Sequence, residues 1–153
     1  MKLKALWMAL SKKWADGEVL VLDAAEALSG GGSPRARRET AGTELAVGKT
    51  MPGWYLDEHP LLRLAYKAPQ GTSLGVRCQT NYNDWVTLGE ESPDGGAFAL
   101  AGDGQWHEAT LDVREAIRRV LPGVGELTGC HVFTRHAAPA GSAFWLDRVE
   151  ITR

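Results

Sequence analysis

The amino-acid sequence predicts an all-β protein: an antiparallel β-sandwich with one short helix. Three observations predict it. Short runs rich in Val, Leu, Tyr and Trp alternate apolar with polar side chains, the period of a strand with one face buried. The 18 glycines and 7 prolines interrupt these runs too often for long helices. Only one segment carries helix-capping chemistry. A length of 153 residues is one ordinary domain, able to bury a core without disulfide or metal support.

Taken in order, Leu3, Leu6, Trp7 and Leu10 recur at helical spacing among lysines, so residues 2–14 read as a short helix. This gives an arm or linker over 1–16 and a β-sandwich domain over 17–153. Glu18–Asp23 is the first strand. Ala24–Leu28 has room for one helical turn before the glycine cluster Ser29–Pro34 ends it. Arg35–Glu39 and Thr43–Val47 follow as strands, with Arg35, Arg37 and Arg38 a local basic patch, read as a solvated strand face or an edge guarded by charge. Met51–Tyr55, which contains Pro52-Gly53, reads as a loop. Leu61–Lys67, Ser73–Thr80 and Trp85–Leu88 are three strands joined by the turns Ala68–Gly71 and Asn81–Asp84, a β-meander. Phe98–Leu100 and Trp106–Leu111 are further strands. Asp112, three residues before Glu115, opens a helix through Val120 that Pro122-Gly123 closes. Leu127–Arg135 and Ala143–Ile151 complete the sandwich. The Val- and Ile-rich first and last strands are expected centrally, beside each other. In the closing strand Trp145, Asp147, Val149 and Ile151 share one face. If Val149 and Ile151 face the core, so does Asp147, and a carboxylate there needs a cation, a metal or several donors.

Pro60–Lys67, then Gly104-Gln105-Trp106-His107, then Phe144–Val149, with Gly30–Ser33 ahead of an early strand, resembles in its order the galactose-binding-like jelly roll. That superfamily includes many carbohydrate-binding modules attached to polysaccharide-degrading or cell-surface proteins. The resemblance covers roughly residues 17–153. It implies a jelly-roll sandwich, a polysaccharide or glycan partner, further domains in a longer protein, and an extracellular or cell-surface location. It also implies a structural calcium. Asp147 matches an acidic position on the last strand, and Glu18 or Asp23 on an early strand would be its partner. Arg148 departs from the pattern, since many relatives carry a second acidic residue there. Calcium takes six to eight oxygens; otherwise Asp147 accepts hydrogen bonds from backbone or an arginine.

A net charge of -2 gives no nucleic-acid footprint. No run approaches the ~20 apolar residues of a membrane span. Ala5–Leu10 is broken by Ser11-Lys12-Lys13, too soon for a secretory signal. His59, His107, His131 and His136 lack metal-ligand spacing, and no nucleophile elbow or phosphate loop occurs. Asp57-Glu58 and Glu90-Glu91 are adjacent carboxylates, which point apart on a strand. A non-enzyme is the expectation. Cys78 and Cys130 are read as free core thiols, or as a cross-strand disulfide if their strands are neighbours.

Strand parity then proposes a ligand face. With Val76 and Cys78 inward, Arg77 and Gln79 point out; with Val86 and Leu88 inward, Trp85 points out; with Cys130 and Val132 inward, His131, Phe133 and Arg135 point out. Were these strands neighbours, Arg77, Gln79, Trp85, His131 and Arg135 would form a polar face holding one indole plate. Such a face binds sugar by stacking and hydroxyl hydrogen bonds; its alternative is an ordinary solvated sheet face. Trp54, Tyr55 and Tyr82 form a second candidate at the loop end. Trp106 and Trp145 are assigned to the core. The function expected is a non-catalytic carbohydrate-binding module, and the alternative is a structural or protein-interaction domain of the same fold.

Overall fold

The alternating runs become strands, and the strands form two antiparallel sheets. The computed structural model describes residues 6–9, 18–23, 33–38, 45–90, 96–135 and 142–153. Its strands are β1 (Leu6–Ala9), β2 (Glu18–Asp23), β3 (Ser33–Arg38), β4 (Ala46–Tyr55), β5 (Leu61–Lys67), β6 (Ser73–Thr80), β7 (Trp85–Thr87), β8 (Leu100–Ala101), β9 (Trp106–Asp112), β10 (Glu126–Thr134) and β11 (Ala143–Thr152), with helix α1 (Val113–Val120) between β9 and β10. The first sheet runs β1-β4-β10-β6-β7, with β8 also paired to β6; the second runs β2-β3-β11-β5-β9. Neighbours in each sheet are mostly remote in sequence, as sandwich connections require. No helix among the described residues is long and apolar enough to cross a membrane.

Between the sheets lies one continuous core. Leu74, Val76, Cys78, Cys130 and Val132 come from the first sheet, and Leu62, Leu64, Phe144, Leu146 and Ile151 from the second. Burying each such aliphatic side chain stabilises the fold by about 1.5–3 kcal/mol. Helix α1 caps one end of this core with Val113 and Ile117. Asp112 accepts a hydrogen bond from Glu115 N at 2.9 Å, the cap its spacing predicts.

The strand expectations fail at informative places. Leu6–Ala9 is an edge strand paired with Lys49, Gly48 and their neighbours on β4, not part of a helix. Four residues are too short for periodicity to separate strand from helix, and an open β4 edge rewards pairing. The rest of 2–14, and the helical turn expected at 24–28, lie outside the described residues. Met51–Tyr55 is not a loop but the second half of β4. Opposite β10, Thr50 pairs with Gly129 and Trp54 with Leu127, so β4 carries extra residues there. Pro52 and Gly53, the latter at φ +73°, mark a β-bulge rather than a chain reversal. β11 is central as expected, but β2 is an edge strand separated from it by β3.

A second bulge reverses the reading of β11. Its register to β5 shifts between Asp147 and Glu150, and Arg148 sits at φ +48°. The extra residue changes the phase of the strand, so Phe144 and Leu146 join Val149 and Ile151 in the core. Trp145 and Asp147 therefore lie on the opposite side of the strand from Val149 and Ile151. Trp145 is only half-buried, with Lys67 Nζ 5.3 Å from its ring centre, and Trp106 is also half-buried. Neither belongs to the core.

Candidate functional site: the outer face of the first sheet

Register alone sets the rows of this face. Across β10, β6 and β7, His131 stands opposite Arg77, and Arg77 opposite Thr87. In the next row Gly129 stands opposite Gln79, and Gln79 opposite Trp85. On the far side of β10, Gly48 faces His131 and Thr50 faces Gly129. The strands are neighbours, so Arg77, Gln79, Trp85 and His131 do come together.

Glycine is what gives the face relief. With no side chains on Gly48 and Gly129, a hollow of about 100 Å³ opens, bounded by Thr50, Gln79, Trp85, Thr128 and His131. The Trp85 indole leans across the β6 strand until its ring centre lies 4.2 Å from that of His131, the planes tilted by 42°. It remains 44% exposed, whereas His131 is 7% exposed. Arg77 Nε donates to His131 Nδ1 at 3.3 Å, which leaves the imidazole proton on Nε2. Burial first, and the Arg77 charge second, hold the His131 pKa down at about 4. The ring is thus neutral at pH 7, an aromatic wall rather than a cation. The Thr128 hydroxyl lies 3.5 Å from Gln79 Oε1 and steadies that amide.

Further along β10, the far end of the Phe133 ring lies over Gly75. A Cβ built at Gly75 would stand 2.7 Å from the Phe133 ring, so only glycine fits beneath it. The Arg77 guanidinium carbon sits 4.6 Å from the centre of the same ring, so the cation is held over an aromatic plate. Arg135 follows two residues later, anchored by its backbone N donating to Ser73 O at 2.8 Å. The face therefore runs Arg135, Phe133, Arg77 with His131, then Gln79 with Trp85.

At the Trp85 end the face meets exposed aromatics. Tyr55 pairs in register with Glu126, whose carbonyl accepts from Asn81 N on the turn that carries Tyr82. Tyr55 is 49% exposed and Tyr82 71%. With Trp85, they are three of the four large hydrophobic side chains exposed among the described residues, and all three sit at one end of one sheet. The fourth is Val120 on α1. Trp54 does not join them. The β4 bulge turns it inward, where it has no exposed surface and donates from Nε1 to His59 O at 2.9 Å. It cannot stack on a ligand arriving from solvent.

Sequence parity missed Gly48, Gly129 and Gly75. A glycine opposite an aromatic on the neighbouring strand is the signal that finds them, but it is visible only once strands are paired. The calcium expectation rests partly on Glu18 and Asp23, whose side chains lie outside the described residues. Asp147 is buried, and its Oδ1 accepts from Arg148 N at 2.7 Å, so the bulge backbone supplies one donor. Among the described residues no group of three His, Cys, Asp or Glu side chains stands together to hold a metal.

No family model matches the chain, and no curated protein matches it. Solved structures do share its fold. The family 30 carbohydrate-binding module of the cellulosomal cellulase Cel9D-Cel44B of Clostridium thermocellum is 16% identical, with 99% of this chain and 92% of that one covered at a TM-score of 0.61. A family 29 carbohydrate-binding module complexed with cellulohexaose is 12% identical, with 96% and 90% covered at 0.57. The glycoside hydrolase domain of Endo-D from Streptococcus pneumoniae R6 is 17% identical; 97% of this chain matches 21% of that one at 0.58. The fold is the jelly-roll β-sandwich of carbohydrate-binding modules.

Proposed function

We propose that this protein is a non-catalytic carbohydrate-binding module that takes glycan on the outer face of its first sheet. The observation that carries the reading is the concentration of exposed rings at the Trp85 end, beside a glycine-floored hollow edged by polar side chains. An indole offers its face to the apolar side of a sugar ring, while the Gln79 amide and the Arg77 guanidinium supply directional hydrogen bonds. Two of the solved structures that share the fold are themselves carbohydrate-binding modules, one of them holding cellulohexaose. Such a module works attached to other domains of a longer extracellular or surface protein. The match to a small part of a glycoside hydrolase chain agrees with that setting.

Intrinsic fluorescence titrated with a panel of soluble polysaccharides and oligosaccharides tests the proposal. A saturable shift is expected, and Trp85→Ala should weaken binding about fivefold or more, as the loss of one stacking ring of ~1–3 kcal/mol requires. Gln79→Ala should weaken it less. No saturation on any glycan would sink the reading. The same exposed Tyr55, Tyr82 and Trp85 would then favour the alternative, a protein-interaction domain, because clustered aromatics also anchor protein interfaces.

A further inference from the structure

Directly beneath the candidate face, pointing the other way, Cys78 on β6 stands opposite Cys130 on β10. Both are buried, and neither is in a disulfide in the structure. The hydrogen-bond pattern tells what kind of pair they make. Arg135 N donates to Ser73 O, so these two residues form a hydrogen-bonded pair at the end of the β6–β10 ladder. Antiparallel pairs alternate, which makes 133 with 75 and 131 with 77 hydrogen-bonded and 132 with 76 and 130 with 78 non-hydrogen-bonded. The other edge of β6 agrees: Leu88 N donates to Val76 O, so the even-numbered residues turn their backbone toward β7. In a non-hydrogen-bonded pair the Cα atoms lie ~4.5 Å apart and the side chains are closest. That separation falls within the ~4.4–6.8 Å span of disulfides. Both side chains point between the sheets, into the same core.

We propose that Cys78 and Cys130 are an oxidisable pair that closes into a cross-strand disulfide. The oxidant is a small-molecule or protein disulfide. One cysteine thiolate attacks it, forming a mixed disulfide and releasing one thiolate; the second cysteine then attacks the mixed disulfide and releases the other. Two cysteine thiols are oxidised, one external disulfide is reduced to two thiols, and the cysteine protons end on those leaving thiols. The reaction belongs to the opening or folding chain. Once the sandwich is closed neither sulfur meets solvent, and burial first, with Cys130 nearby second, pushes the Cys78 thiol well above its ordinary pKa, so the attacking thiolate is scarce. The bond would join the two strands that carry Arg77, Gln79 and His131 on their reverse side. It would also close a long loop that includes β7, β8, β9 and α1, and constraining such a loop stabilises chiefly by restricting the unfolded chain.

The full chain, unfolded and reduced, is refolded in parallel with oxidised glutathione and with dithiothreitol. Intact mass is read without reduction, and thiols are counted by alkylation in denaturant. The glutathione sample should be lighter by two hydrogens, contain no alkylatable thiol, and melt at a higher temperature than the reduced sample. Reduction in denaturant should restore both thiols, and a Cys78→Ala/Cys130→Ala variant should melt alike in both buffers. Two alkylatable thiols in a natively folded glutathione sample would overturn the proposal, as would persistent glutathione adducts. Oxidation of the already folded, reduced protein as fast as during refolding would overturn the assignment of the reaction to the open chain.

Discussion

His131 shows how one side chain takes its character from its neighbours. An imidazole on the outer face of a sheet is ordinarily a solvated, half-charged group near neutral pH. Here Trp85 covers it, Arg77 repels its proton, and its pKa falls to about 4 from an ordinary 6.5. The unfolded chain binds a proton at His131 as pH drops through 6.5, while the folded chain does so only near 4. Between those values the unfolded state holds more protons, so the His131 contribution lowers stability as pH falls across this window and is absent above it. Thermal melts from pH 7.5 to 4 should therefore show a decline that His131→Gln makes shallower. An unchanged profile in that variant would mean that the imidazole stays solvated. The outward direction of Arg77, Gln79, Trp85 and His131 was legible in the sequence because parity is unbroken along β6 and along β10 from Gly129 onward. The burial of His131 was not, since it depends on an indole leaning over from two strands away.

Elements were legible where their signals are local. Asp112 and Glu115 announced α1, and the cap hydrogen bond forms as their spacing requires. Asp112→Ala should cost about 1 kcal/mol, measured as a shift in urea midpoint with an unchanged slope. A null effect would show that packing of Val113 and Ile117 alone fixes the helix start. Strands β5 and β6 were equally plain, each an alternating run closed by a turn. β4 and β11 were misread at the same kind of feature. Pro52-Gly53 has the composition of a turn, and only pairing with β10 shows that it is a bulge. In β11 nothing marks the phase change: Arg148, at φ +48°, is not a residue type that announces a left-handed backbone. The placement of Trp54 inside and Trp145 outside followed from those two bulges, so two of the three misassigned tryptophans share one physical origin; Trp106, on the regular edge strand β9, is the third.

At the scale of the whole molecule, a single core joins both sheets and the helix. No layer can part from the other without exposing it. Urea unfolding followed by tryptophan fluorescence and by far-ultraviolet circular dichroism should give superimposable transitions, the mark of one cooperative unit. Separated midpoints would indicate that one sheet survives alone. The pairing of strands remote in sequence, as in β4 with β10 and β3 with β11, also places folding in the slow range of milliseconds to seconds.

The bulge in β11 also sets which kinds of genetic change this chain can absorb. Arg148 is the one extra position between Asp147 and Val149, and the bulge absorbs it so that Leu146 and Val149 both face the core. Removing Arg148 would erase the bulge and restore plain alternation, leaving Phe144, Leu146, Val149 and Ile151 on the core face, whereas removing Glu150, beyond the bulge, would put a core aliphatic out of phase. A library of single-codon deletions should therefore be depleted less at Arg148 than at Glu150, and equal depletion at the two codons would contradict this reading of the bulge.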